Sequence, residues 1–358
     1  MSSQKQLLSV LVALAFLVFA ACEQPTPEQK VLKFQGGTMG TSYHVTVIDP
    51  SSSEVRKSVD SLLVEINREV NTYDENSLIS RLNKGDTIAL PVITNPNQLI
   101  SAIGGHLAAN LQLALKPMSL SSGAFDPTVG PLTEYYGFGA SKREGDPVDP
   151  AEIKRLLQFV GFSNIHIDSI GSDQLQVNIA RLGVRLDLSA IAKGYAVDQL
   201  AHLMEERFKS TSYFVEIGGE TRAAGRSPRD AKWTIGVNRP QEGASLSDLE
   251  LIIGISNAAI ATSGNYRNRR IIDGKSFVHT IDPQTGIAKP SSLLSATVVA
   301  SDCATADAFA TACMASSENA EEVLAKAGLS GCLIFAESDS TFVTRYVGDF
   351  EMYVLTSN

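Results

Sequence analysis

Two oxygen-bearing side chains near the C-terminus have the type and spacing of metal ligands. Asp307 and Thr311 fall within an alanine-rich stretch of helix-forming composition, residues 305–314. Because they are four residues apart, their side chains share one face of the predicted helix. A carboxylate and a hydroxyl are hard oxygen ligands of the kind that Mg²⁺ prefers. A second interpretation stays open on spacing alone, in which Asp307 caps the helix and Thr311 bonds back to its own backbone.

The surroundings of Asp307 predict a counter-charge beside it. The rest of this helix is Ala, Phe, Cys and Met, a composition that favours burial. An isolated buried carboxylate is costly, so a basic side chain is expected nearby. Residues 294–300 have strand composition, and this strand would lead directly into the helix that carries the two oxygens.

A second pair of residues has the chemistry of a phosphate site. Asp187 and Lys193 lie where residues 184–186, a predicted strand, turn into a helix, with Ser189 in position to cap it. The start of a helix presents backbone N–H groups and a positive dipole end to anions. The alternative is a surface lysine and a capping aspartate.

His279 is the candidate proton acceptor. It lies in F-V-H-T-I-D-P, directly before the turn D-P-Q-T-G and shortly before the proposed metal helix. A histidine near neutral pH takes a proton from a hydroxyl nucleophile, although a lone strand histidine is more often structural. Asp282 is predicted to stabilise the turn through a bond to its own backbone.

Residues that suit a flat aromatic ligand are scattered through the N-terminal half. Met39 and Tyr73 offer a thioether and a ring, and Phe125 and Asp126 offer an apolar wall with an acceptor. Gly36-Gly37, with Gly40, would permit a ligand to approach the backbone closely. Each of these residues is also compatible with a turn or a core contact.

Hydrophobic periodicity predicts the elements that must position these residues. Predicted helices include 55–70, 99–115, 150–160 and 320–326, and predicted strands include 31–34, 43–48, 164–167, 174–179, 213–217, 233–237, 249–256, 258–261, 332–335 and 342–345. Because strands and helices alternate irregularly, the expected fold class is α+β.

The composition and the N-terminal segment limit where the protein can be located and what it can bind. The 358-residue chain is 44% apolar with a net charge of −9 and no basic stripe, which disfavours nucleic acid as a partner. Residues 1–21 have the charged start and apolar run of a secretory signal. They end in F-A-A before Cys22, like a bacterial lipobox, so Cys22 is the expected lipidation site. The alternative is a plain signal peptide followed by an incidental cysteine. Residues 22–30 are predicted to be a tether.

Eight motifs in order resemble one family. They are G-T-M-G-T-S-Y, T-Y-D-E-N-S-L-I-S-R-L-N, G-A-F-D-P-T-V-G-P-L, D-L-S-A-I-A-K-G-Y-A-V-D, E-I-G-G-E, A-T-S-G-N-Y-R, H-T-I-D-P-Q-T-G and A-D-A-F-A-T-A. From about Phe34 to the C-terminal strands, the chain resembles the ApbE family, the FAD:protein FMN transferases.

The resemblance implies an activity, a fold and a set of roles. The implied enzyme moves FMN from FAD to a Thr or Ser hydroxyl of a target flavoprotein through a phosphoester and releases AMP. The implied fold for residues 31–358 is a single two-lobed, T-fold-like α+β domain with mixed or antiparallel sheets flanked by helices. His279 would be the general base. Mg²⁺ would bind Asp307, Thr311 and the carbonyl of Ala190, and FAD would lie against Met39, Tyr73, Ala124, Phe125, Asp126, Asp187, Lys193 and Ile281.

Partners and alternatives follow from the same resemblance. The expected partners are FAD, acceptor flavoproteins and a membrane reached through the lipid anchor, on the periplasmic side of a bacterial membrane. Two departures are visible, with Ser189 where Gly is frequent and Glu220 where Asp is frequent. A Mg²⁺-dependent FAD pyrophosphatase that yields FMN and AMP, and a non-catalytic flavin-binding lipoprotein, are the alternative functions.

Overall fold

An eight-stranded antiparallel sheet organises the molecule. The structure is a computed structural model that describes residues 29–140, 148–241, 243, 245, 247–265, 269–288, 290–338 and 341–357. In spatial order the strands of the main sheet are β1 (Val31–Thr38), β2 (Thr41–Ile48), β6 (Ser212–Ile217), β7 (Glu220–Ala224), β10 (Ala258–Gly264), β13 (Leu293–Ala300), β14 (Ser330–Ala336) and β15 (Phe342–Val347). Cys22 and the predicted signal segment lie outside the described residues.

Three smaller antiparallel sheets surround the main one. Their strands, again in spatial order, are β3 (Ile88–Pro91), β5 (Gln174–Ile179) and β4 (Ile165–Ile170); β16 (Val354–Ser357), β9 (Leu249–Ile255) and β8 (Trp233–Asn238); and the hairpin of β11 (Arg269–Ile272) and β12 (Lys275–Val278).

Eight α-helices occur within the described residues. They are α1 (Val55–Val70), α2 (Leu78–Asn83), α3 (Gly105–Leu120), α4 (Gly130–Tyr135), α5 (Pro150–Leu156), α6 (Ala192–His202), α7 (Cys303–Ser316) and α8 (Ala320–Ala327). The segment Leu203–Arg207 continues α6 as a π-helical turn. In this part of the chain no helix combines the length and the apolar character needed to span a membrane.

Both faces of the main sheet are covered, so its central strands are buried on each side. On β10, Ala259 and Ala261 belong to the core formed with the helices, whereas Ala258 and Ile260 belong to the core formed with β8 and β9. Side chains alternate between the faces of a strand, which explains this division. β13, the strand that leads into α7, is divided in the same way, with Val298 in the first core and Val299 in the second.

The predicted elements near the proposed metal ligands are confirmed. The strand predicted at 294–300 is β13, and the helix predicted at 305–314 is α7, which extends further at both ends. α7 begins at Cys303 because Asp302 caps it, with Oδ1 accepting a bond of 2.8 Å from the Thr305 backbone N–H. The α+β class is confirmed by this mixture of helices and antiparallel sheets.

Three local predictions are wrong. The helix expected from residue 99 begins only at Gly105, because Gly104 adopts a left-handed φ of 78°; Ile103 lies outside the helix and is exposed. Residues 184–186 do not form a strand, and make only isolated bridges. Ser189 does not cap α6, whose first helical residue is Ala192 and whose start has no side-chain cap.

A buried ion pair braces α6 against α7. Asp198 on α6 accepts bonds of 2.9 Å from Arg222 Nη1 and from the backbone N–H groups of Cys303 and Ala304 at the start of α7. Asp198 is 5% exposed. One carboxylate thus joins two helices and a strand of the main sheet.

Replacing Asp198 with Ala is expected to lower the free energy of unfolding by about 3–5 kcal/mol, because the largely buried guanidinium of Arg222 keeps, among the described residues, only Glu205 at 3.8 Å and the Cys303 and Ala304 N–H groups lose their acceptor. Urea unfolding followed by circular dichroism measures the change. Asp230→Ala is the matched control, since Asp230 forms an exposed pair with Arg226 and exposed pairs contribute little. Equal losses in the two variants would contradict the bracing role.

Candidate active site

One cavity of about 960 Å³ collects the residues expected to bind the metal and FAD and the candidate base. It opens between the turn of the β1–β2 hairpin, the loops that follow α1 and α3, the start of α6 and one face of α7. The candidates that line it are Met39, Tyr73, Ala124, Phe125, Asp126, Asp187, Ala190, Lys193, His279, Ile281, Asp307 and Thr311. Residues 268 positions apart in the chain, Met39 and Asp307, are thus brought to one cavity by folding.

Asp307 has no capping role in α7. Its carboxylate is 2% exposed, and Oδ2 accepts a bond of 3.0 Å from the backbone N–H of Gly194 in the first turn of α6. Because Asp302 already caps α7, the capping interpretation of Asp307 is excluded. Thr311, one turn further along, lies with its hydroxyl 3.3 Å from Ser263 Oγ on β10.

Gly194 allows the two helices to approach closely at Asp307. A Cβ atom at position 194 would lie 2.3 Å from the Cys303 carbonyl oxygen and 2.8 Å from Asp307 Cβ. Only glycine fits such a contact without displacing the backbone. The positive end of α6 therefore faces the Asp307 carboxylate directly and stabilises its charge.

The expected counter-charge of Asp307 is Lys193. Its Nζ lies 3.8 Å from Asp307 Oδ2 and donates a bond of 2.6 Å to Glu220 Oε1. Lys193 is therefore neither at the open surface nor unpaired. Burial lowers the pKa of Lys193, but the two carboxylates more than offset this effect and the net direction is upward.

Burial raises the pKa of both carboxylates in this cluster, whereas it lowers the pKa of Lys193. It raises the pKa of Glu220 to about 7, against the attraction of Lys193. It also raises the pKa of Asp307, where Lys193 and the Gly194 N–H oppose it. Two buried carboxylates thus share one ammonium group, so a further positive charge beside them would be electrostatically favourable.

The donor atoms suit a divalent cation that also binds phosphate oxygens. Among the described residues no group of three or more His, Cys, Asp or Glu side chains could hold a metal ion. Asp307, the Thr311 hydroxyl and Ala190, the ligands that the resemblance implies, line the same cavity. No described donor bonds to Asp307 Oδ1. Mg²⁺ commonly takes one or two carboxylates and completes its shell with substrate phosphates and water, so these residues fit that ion.

The segment before α6 is a loop whose turn Asp187 stabilises. Asp187 Oδ1 accepts a bond of 2.9 Å from the Ser189 N–H, and its backbone N–H donates to the Pro127 carbonyl at 2.7 Å. Asp187 lies five residues before α6 begins at Ala192, so it does not cap that helix. Asp187 and Lys193 both line the cavity, as the phosphate-site interpretation requires.

His279 follows the last residue of β12 and lines the same cavity as Asp307. Its ring meets Phe138 edge-on, with 6.4 Å between the ring centroids. The turn after it is built as predicted, since Asp282 Oδ1 accepts a bond of 2.9 Å from the Gln284 N–H and Oδ2 accepts one of 2.6 Å from Thr285 Oγ1. This turn brings Ile281 to the cavity wall.

The walls around the remaining volume are partly aromatic and partly apolar. Tyr73 is 66% exposed, and its hydroxyl donates a bond of 3.3 Å to the Phe138 carbonyl across the cavity mouth. Met39 has a left-handed φ of 48° in the β1–β2 turn. Asp126 Oδ1 is bonded to Thr128, and burial, opposed by these bonds, raises the pKa of its carboxyl group.

The expectation for the first glycine pair is wrong. Gly36 and Gly37 do not line the cavity, although Gly40 does. A Cβ at Gly36 would lie 2.5 Å from the buried ring of Tyr43, so Gly36 makes room for a core side chain. Gly36 is therefore required by the packing of the Tyr43 side chain and not by a ligand.

Sequence reasoning missed several polar residues of the cavity, among them Ser263, Glu220 and Arg270. Ser263 contacts Thr311, Glu220 contacts Lys193, and Arg270 lines the cavity while Nη1 donates a bond of 2.5 Å to the Gly137 carbonyl. Ser263 and Glu220 lie in the motifs A-T-S-G-N-Y-R and E-I-G-G-E. Their position in those motifs was the available signal, but no spacing rule assigned them a partner.

Comparison with known proteins identifies the family. The model of the ApbE family matches residues 39–333, which is most of the chain. The chain belongs to the ApbE family. The FAD:protein FMN transferase of Haemophilus influenzae is 34% identical over 354 residues, covering 97% of this chain and 98% of that protein.

Solved ApbE structures share the fold. The flavin transferase ApbE from Vibrio cholerae superposes with a TM-score of 0.75 at 29% identity, covering 91% of this chain and 100% of that one. The apo form of the flavinyl transferase ApbE of Pseudomonas stutzeri gives a TM-score of 0.77 at 27% identity, covering 93% and 100%. The recognition from the eight motifs is therefore confirmed, and the fold described above is the ApbE fold.

Proposed function

We propose that this ApbE family member transfers the FMN moiety of FAD to a Thr or Ser hydroxyl of an acceptor flavoprotein and releases AMP. The observation that carries the proposal is the single cavity lined by Asp307, Lys193 and His279 together. These residues supply a cation ligand, a fixed ammonium and a base for one reaction centre. Curated relatives named FAD:protein FMN transferase over nearly the full chain support the same activity.

Mg²⁺ is the cofactor that this donor set suits. Asp307, Thr311 and the Ala190 carbonyl would hold it, with FAD phosphate oxygens in the remaining positions. A cation bound there would neutralise charge on the diphosphate as the bridging bond breaks. The buried pair of carboxylates around one lysine supports this assignment, because it leaves negative charge in excess at that end of the cavity.

Lys193 and His279 carry the protein's part of the reaction. Lys193 would donate to diphosphate oxygens with the N–H hydrogens that Glu220 does not use. His279 would accept the proton of the acceptor hydroxyl as its oxygen bonds to the phosphorus of the FMN half. The bond from that phosphorus to the bridging oxygen breaks, and the electron pair leaves with AMP.

The isoalloxazine ring would lie among the cavity's apolar and aromatic groups. Met39, Tyr73 and Phe125 present soft or planar surfaces, and Ile281 and Ala124 fill the wall between them. Asp126 would accept a hydrogen bond from the ring system, because its Oδ2 is not used by Thr128. Asp187 lines the cavity beside the start of α6, near the expected phosphates.

A lipid anchor at Cys22 would hold the enzyme on the periplasmic side of a bacterial membrane. The apolar run of residues 7–21 and the small residues before Cys22 support this location. The tether of residues 22–30 would leave the cavity free to meet acceptor proteins.

Mass spectrometry of an acceptor flavoprotein after incubation with this enzyme, FAD and Mg²⁺ tests the function. The expected product is the acceptor with one FMN phosphoester, formed together with one AMP. FMN offered in place of FAD should give no adduct, since it has no diphosphate bond to break. Release of FMN and AMP at the same rate without acceptor, and with no adduct, would favour the pyrophosphatase alternative.

A further inference from the structure

Glu220 is a buried carboxylate at the cavity to which the reaction described above gives no part. It begins β7, directly after Gly218 and Gly219, whose left-handed φ values of 61° and 106° turn the chain from β6 into β7. Glu220 is 5% exposed and lines the cavity. Oε1 accepts the 2.6 Å bond from Lys193 Nζ.

The second oxygen of Glu220 has no hydrogen-bond partner within the part of the chain that the structure describes. Oε2 is buried and makes no hydrogen bond to any described residue. Leaving a buried acceptor unsatisfied destabilises a fold by about 1–3 kcal/mol. Such an arrangement at a cavity wall indicates that the carboxylate serves the site rather than the stability of the fold.

Lys193 binds one of its two carboxylate neighbours and stays apart from the other. Its Nζ is within hydrogen-bond distance of Glu220 Oε1, but 3.8 Å from Asp307 Oδ2. Ammonium–carboxylate bonds are normally about 2.7–2.9 Å long. Asp307 therefore receives the attraction of the lysine charge without a hydrogen bond from it, and its only described donor is the Gly194 N–H.

We propose that Glu220 is a positioning residue that holds the Lys193 ammonium away from Asp307 and so keeps Asp307 available to a divalent cation. Without the Glu220 charge, Lys193 would close the 3.8 Å gap and form a direct ion pair with Asp307. That pair would compete with the cation for the same carboxylate. The inference rests on the cation site of the proposed function.

Binding of Mn²⁺ to the flavin-free protein, measured as free Mn²⁺ by electron paramagnetic resonance, tests this role without turnover. Glu220→Gln keeps the shape of the side chain and removes its charge. It is expected to weaken Mn²⁺ binding by about tenfold or more, the scale on which residues that orient metal ligands act. Lys193→Gln/Glu220→Gln removes the competing ammonium as well, and is expected to restore Mn²⁺ affinity to near the wild-type value.

The matched control is Glu250→Gln. Glu250 also accepts a bond from a single basic partner, Arg239 Nε at 3.0 Å, but does not line the cavity. Its Mn²⁺ affinity should equal that of the wild type. Should Glu220→Gln not fold, as judged by thermal unfolding, Lys193→Gln alone is expected to bind Mn²⁺ at least as tightly as the wild type, because Glu220 already keeps the ammonium from competing; a weaker affinity would overturn the inference.

The outcomes separate this inference from the proposed function. Wild-type protein that binds no Mn²⁺ would overturn the cation site, and this role of Glu220 with it. Wild-type binding with an unaffected Glu220→Gln variant would overturn the positioning role alone. The positioning role would also be overturned if the double variant bound Mn²⁺ as weakly as Glu220→Gln. In that case the lysine would not be competing with the cation for Asp307.

Discussion

His279→Ala is expected to reduce FMN transfer by about 10²–10⁴-fold, the usual contribution of a general base, while FAD binding is retained. The imidazole lines the cavity with Asp307 and Lys193, and its ring meets Phe138 edge-on. Removing it should leave the cation and phosphate ligands in place. Single-turnover transfer to an acceptor, measured by mass, gives the rate, and quenching of FAD fluorescence gives the affinity.

His166→Ala is the matched control for this variant. His166 is exposed on β4 and does not line the cavity, so its replacement should leave the transfer rate unchanged. Unimpaired transfer by His279→Ala would eliminate the general-base role. A parallel loss of FAD affinity would instead assign His279 to binding.

Asp307→Asn is expected to abolish the stimulation of turnover by Mg²⁺. An amide keeps the size of the side chain and can still accept from the Gly194 N–H, but the charge that would bind the cation is gone. Loss of several kcal/mol of charge stabilisation corresponds to about 10³-fold or more in rate. The measurement is the transfer rate as a function of Mg²⁺ concentration for the variant and the wild type.

Asp302→Ala separates this effect from a general weakening of α7. Asp302 caps the same helix but is absent from the cavity, so its loss should lower the melting temperature without changing the response to Mg²⁺. Losing such a cap typically destabilises a protein by about 1 kcal/mol. Equal wild-type rates with and without Mg²⁺, or a full response in Asp307→Asn, would rule out the metal site.

Glu220 gives the lysine of the site a hydrogen-bond partner other than Asp307. A lysine beside a catalytic carboxylate could neutralise it and block a cation, because both compete for the same oxygens. Here Glu220 accepts a bond of 2.6 Å from that lysine, and under the proposal this keeps the ammonium available to phosphate. A single Lys193 can then serve the diphosphate without closing the cation site.

Local sequence patterns predicted the elements that depend on local periodicity. Tyr43, Val45 and Val47 were expected on one face of a strand, and all three are buried in the core. α1 runs over the residues predicted for it, because its apolar side chains recur with the helical period. The prediction failed for α3 because the spacing of Leu99 and Ile103 continued the period, whereas the left-handed Gly104 interrupts the backbone.

By itself, the sequence determined which groups were present and which of them shared a local element. The four-residue spacing of Asp307 and Thr311 placed both oxygens on one helix face, and eight ordered motifs indicated the family. Only the tertiary structure decided that Lys193 serves two carboxylates and that Gly194 donates to Asp307 across 113 positions of the chain. Helical period depends on neighbouring residues, whereas the approach of α6 to α7 depends on packing contacts between distant segments, such as the space that Gly194 leaves for the Cys303 carbonyl.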